Sequence, residues 1–95
     1  MEKTFEEVLI DRINFCDWSI DECNYRIKNP NFPNPYNDDY EGMLKRYKND
    51  EACYTFISRI NDVMQLDIDD VVFRRTIGIF FTELVKEVMG NAKTD

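Results

Sequence analysis

Three pairs of carboxylates stand four residues apart in this sequence: Glu7 with Asp11, Asp17 with Asp21, and Glu83 with Glu87. On a helix each pair shares one face, and carboxylates held that way can ligate magnesium for phosphate chemistry. An acidic helix carries the same pairs on its solvated side by default, so neither a metal site nor a catalytic residue is expected from them. There is no histidine. General-base catalysis would need a perturbed carboxylate, and a thiol nucleophile would lack its usual imidazole.

The magnesium sets of all-α nucleotide pyrophosphohydrolases, Glu-x-x-Glu and Glu-x-x-Asp, are not matched by pairs spaced by four. Asp67-x-Asp69 has the start of a calcium loop, but Val72 stands where that loop requires glycine. The scattered Gly42, Gly78 and Gly90 make no phosphate-binding loop. Cys16, Cys23 and Cys53 have no CxxC spacing, so no zinc site and no cofactor is expected. They read as buried thiols of a reducing cytoplasm. The basic clusters are Lys45-Arg46-Tyr47-Lys48 and Arg74-Arg75. The first pairs with nearby acids; Arg74 and Arg75 form an alternative site, for a small anion such as a nucleotide held between subunits.

Charge narrows the partners. Nineteen acids against twelve bases give a net charge of −7, which disfavours direct nucleic-acid binding and anionic lipid and favours a protein with a basic surface. With 43% apolar residues the 95-residue chain can build one packed domain, 1–95. It begins without a basic, apolar leader and holds no membrane-spanning run, so a cytoplasmic location is expected.

The elements that must position these groups are helices. Thr4-Phe5-Glu6-Glu7 is a capping box. Behind it Leu9, Ile13, Cys16, Ile20, Cys23 and Ile27 alternate steps of four and three, which predicts a helix over 5–28 that ends before Pro30. A Pro-rich connector over 29–36 follows, in which Phe32 and Tyr36 can pin the chain to the body. A second helix is predicted over 38–65, with a possible break near Asn49 where the apolar stripe lapses. A third, over 68–89, starts behind Asp67, Asp69 and Asp70 and stops at Gly90-Asn91. The expected fold is all-α, a compact three-helix bundle with up-down-up connectivity.

Two helices carry more apolar surface than such a bundle needs. On the first, Val8, Phe15, Trp18 and Tyr25 form a second stripe, to be covered either by the connector or by a partner anchored on Trp18. The third is apolar nearly all round, which predicts a central position or a subunit interface. Val72, Gly78, Ile79, Phe81 and Val85 are the expected homodimer contacts, with Gly78 admitting a close backbone approach.

The function class that fits is an acidic helical interaction protein. Its expected mode is to inhibit by blocking a basic, possibly nucleic-acid-binding, site on a partner. Phage-encoded anti-defence proteins, nuclease immunity proteins and DNA mimics share its size, charge and helicity without sharing a motif. The expected contact residues are Phe15, Trp18 and Tyr25 with Glu6, Glu7, Asp11, Asp17, Asp21, Glu22, Asp38 and Asp39. A homo-oligomeric binder of a small anion and an assembly subunit are the alternatives.

Overall fold

A computed structural model describes residues 2–92. The chain is an all-α three-helix bundle, as expected: α1 spans Phe5–Lys28, α2 Tyr40–Met64 and α3 Asp70–Ala92. No described helix is long and apolar enough to cross a membrane.

Local chemistry sets the helix starts. The Thr4 hydroxyl accepts from the Glu7 amide at 3.1 Å and the Glu7 carboxylate reaches back to the Thr4 amide, which completes the capping box. Asp39 caps α2 by accepting from the Gly42 amide at 3.1 Å, so that helix begins two residues later than the sequence suggests. A Cβ on Gly42 would overlap that capping carboxylate. Asp69 accepts from the Val72 amide at 2.9 Å and moves the start of α3 to Asp70.

Two expectations are corrected and one open point, the possible break in α2, is closed. Helix α2 runs through Asn49 without a break, and the Asn49 side chain accepts a 2.9 Å hydrogen bond from Asn91 that ties α2 to α3. The same bond holds the last turn of α3, so Gly90 lies inside the helix instead of stopping it. Cys16 and Cys23 are buried as expected, but Cys53 is exposed.

The central element is α2, not α3. Helix α1 packs along one side of α2 and α3 along the other, and among the described residues α1 and α3 do not meet. Glu6, at the start of α1, accepts from Asn61 and Gln65 at the end of α2, which fixes those helices antiparallel. Asn49 and Asn91 do the same for α2 and α3. A helix with neighbours on two sides spreads its apolar residues around its circumference, which explains the irregular stripe of α2.

The result is a layer 15 Å thick, with extents of 55 and 41 Å in its plane. Its radius of gyration is 16.8 Å, against about 12 Å for a close-packed chain of this length. Accessible surface is 7531 Å², where a monomer of this size ordinarily shows roughly 5,800 Å². Among the described residues only Leu9, Cys16, Cys23 and Val63 are buried apolar residues, and α3 contributes none of them.

The Pro-rich connector is pinned by a residue that periodicity does not mark. Arg26 donates to the Pro33 carbonyl at 3.0 Å and to Glu22 at 3.1 Å, with its guanidinium 4.1 Å from the centre of the Phe32 ring. Phe32 also meets Tyr25 edge to face at 5.7 Å. Tyr36 is 85% exposed and covers nothing.

Candidate functional site

Because α1 and α3 flank α2 without touching, one face of the layer is a trough of about 660 Å³ with α2 as its floor. Helix α1 supplies Asp17, Ile20 and Asp21; α3 supplies Phe80, Glu83, Leu84, Lys86 and Glu87; and Glu51, Ala52, Thr55, Phe56 and Arg59 rise from α2. Five carboxylates face three cations there, counting Lys48, and Arg59 is already engaged in an ion pair with Glu83. Two of the helical carboxylate pairs, Asp17/Asp21 and Glu83/Glu87, thus come to opposite banks of one groove.

Between them stands Glu51. Its Oε2 is shielded from solvent and has no hydrogen-bond partner. Burial is the largest cause that raises its pKa from 4.5 to about 7, followed by a hydrogen bond to Asp17 and by the charges of Asp17, Glu87 and Asp21. Two ionised carboxylates cannot hydrogen-bond to each other, so that bond exists only while one is protonated. With a pKa of about 7, Glu51 is protonated in about half of the molecules near neutral pH.

Comparison with protein-family models, curated proteins and solved structures finds no match.

Among the described residues no group of three His, Cys, Asp or Glu side chains is placed to hold a metal ion. Burial pushes the thiols of Cys16 and Cys23 up, with Asp50 and Glu51 adding to the first and Glu22 to the second. A thiol held protonated is a poor nucleophile.

The contact residues expected from sequence separate into groups. Asp17 and Asp21 line the trough. Glu7 and Asp39 are occupied as helix caps, Asp11 pairs with Lys3, and Glu22 pairs with Arg26. Glu6 is hydrogen-bonded to α2, and Asp38 is exposed on the connector. Phe15 lies on the far side of α1 from the trough, 6.0 Å from the Tyr47 ring, and Trp18 and Tyr25 sit toward its outer edge. Trp18 is 64% exposed and touches Phe15, not the connector.

On α3, Val72, Gly78, Ile79, Phe81 and Val85 are all exposed, yet they do not form one patch. At ~100° per residue Ile79 and Phe81 point to nearly opposite sides of the helix. No atom lies within 4 Å of a Cβ built on Gly78, so no close approach within the chain requires that glycine. Arg74 pairs with Asp70 at 3.0 Å, and neither Arg74 nor Arg75 lines the trough.

Sequence reasoning missed Glu51 and Glu87 as members of a site. Glu51 falls in the polar stretch where the α2 stripe lapses, and that lapse was the available signal: a polar segment on a central helix must face an open groove.

Proposed function

We propose that this chain is an acidic helical interaction module without chemistry of its own, and that it inhibits a partner protein by occupying its basic surface. The trough is the contacting face. One observation carries the reading: Glu51 is crowded by Asp17, Asp21 and Glu87 and has no partner for its shielded oxygen. A lysine or arginine from a partner would replace the proton and relieve the crowding, a gain available only to a cationic ligand. Ile20, Ala52, Phe56 and Leu84 between the carboxylates give the stem of such a side chain an apolar bed. Trp18, at the outer edge of α1, extends the contact without entering the trough.

Capture from the native lysate tests this, using the wild type, an Asp17→Lys/Asp21→Lys variant and a Trp18→Ala variant. The expected partner has a basic surface, is retained by the wild type, and binds the charge-reversed variant at least ~10-fold more weakly, with affinity falling as salt rises. Trp18→Ala should cost less than the reversal. Equal capture by wild type and reversed variant would sink the proposal.

A homo-oligomeric form belongs to the same reading, because the total exposed surface of 7531 Å² exceeds what a lone chain of this size ordinarily presents.

A further inference from the structure

The layer has a second face, opposite the trough, and its composition is different. Counting ~100° per residue from the trough-lining positions, that face carries Val8 and Phe15 of α1, Cys53 and Ile57 of α2, and Phe81 and Val85 of α3. All six are exposed, the five large ones to between 37% and 55%. Charges share that face: Glu22 pairs with Arg26 and Asp70 with Arg74, while by the same count exposed Arg12 stands between Val8 and Phe15, and exposed Arg46 and Asp50 lie within two turns of Cys53. One face of the protein is therefore acidic and grooved, and the other carries an apolar band among charges of both signs.

We propose that this band seats a second copy of the chain, giving a two-fold, back-to-back dimer whose two acid troughs open outward. Area supports a second copy. The 7531 Å² surface exceeds that of an ordinary monomer by roughly 1,700 Å², while a standard dimer hides about 800 Å² per partner. One such interface removes about half of the surplus and leaves the remainder on the trough side. Charge sets the orientation. Stacking trough on trough would press like-charged carboxylates together in two copies that each carry −7. Back-to-back stacking instead puts two layers of 15 Å between the acid faces, well beyond the screening length of ~8 Å at physiological salt. A band whose charges are of both signs can also face its own copy across a two-fold axis with less repulsion than the trough, where carboxylates are in excess.

Sedimentation equilibrium on the full chain tests the proposal, with Ile57→Glu and Phe81→Glu on the band and Ile79→Glu on the opposite side of α3 as control. The expected result is a dimer mass for wild type, self-association weakened at least ~100-fold by either band variant, and a change within about threefold for the control. Wild type that stays monomeric to about 1 mM, or a control that dissociates as readily as the band variants, would overturn it. A second measurement needs no variant. The rate at which a thiol reagent modifies the exposed Cys53 of the wild type should fall at least ~10-fold as concentration rises through the association range. A constant rate would count decisively against the dimer. Asp17→Lys/Asp21→Lys should leave the dimer mass unchanged, so loss of partner capture and loss of self-association are separable failures.

Discussion

Replacing Glu51 by glutamine removes a charge that the folded chain tolerates poorly. Its folded pKa is raised from 4.5 to about 7, so the folded state holds the proton more tightly than the unfolded state does. The stability contributed by that proton is fully present below pH 4.5 and is lost as pH rises through about 7. At 1.36 kcal/mol per unit the loss is about 3 kcal/mol at most, and about 2 kcal/mol once solvent in the open trough is allowed for. Glutamine keeps the shape, carries no charge and can still donate to Asp17. The Glu51→Gln variant should therefore match wild type near pH 4.5 and exceed it by about 2 kcal/mol at pH 8, or roughly 10 °C in Tm for a domain of this size. Thermal melts of both proteins at half-unit pH intervals give the comparison. A gap that does not change with pH, or a glutamine variant that melts lower at pH 8, would refute the reasoning.

Ser19 is 3% exposed and its hydroxyl has no partner; Ser19→Ala should raise unfolding free energy by about 1 kcal/mol in urea titrations. Arg26→Ala removes the bond to Pro33, the pair with Glu22 and the stacking on Phe32, and should cost about 2 kcal/mol; proteolysis of the connector should quicken with it. Gly78→Ala meets nothing within 4 Å and should stabilise by about 1 kcal/mol; a lower Tm would place another chain's backbone against that position. Arg74 is paired and borders no trough residue, so a nucleotide panel should leave Tm unchanged, and a shift of several degrees abolished by Arg74→Ala would favour the small-anion alternative.

Three helices, their caps and the all-α class were legible in the sequence, because these are local matters. The Thr4–Glu7 box and the four-and-three stripe from Leu9 to Ile27 depend on residues within a few turns of each other. Periodicity also revealed that α1 and α3 carry surplus apolar surface. It could not say which helix lies in the middle. The all-round apolarity of α3 left a central position or a subunit interface open, whereas α2 takes the centre and its polar stretch at Lys48–Glu51 reads as a lapse until the trough is seen. The candidate site was half legible: Asp17 with Asp21 and Glu83 with Glu87 stood out as pairs, while only packing brings the two pairs together around Glu51.

The sequence by itself determined where helices begin, which residues share a helical face and how large the acid excess is. Only the tertiary structure decided that α1 and α3 stand apart across α2, and so that carboxylates from three helices crowd around Glu51 on one side of a thin layer. The physical reason is range. Helix formation is governed by bonds between residues four apart, whereas the field at Glu51 is a sum over charges distant in the chain, and no spacing rule in one dimension carries that sum.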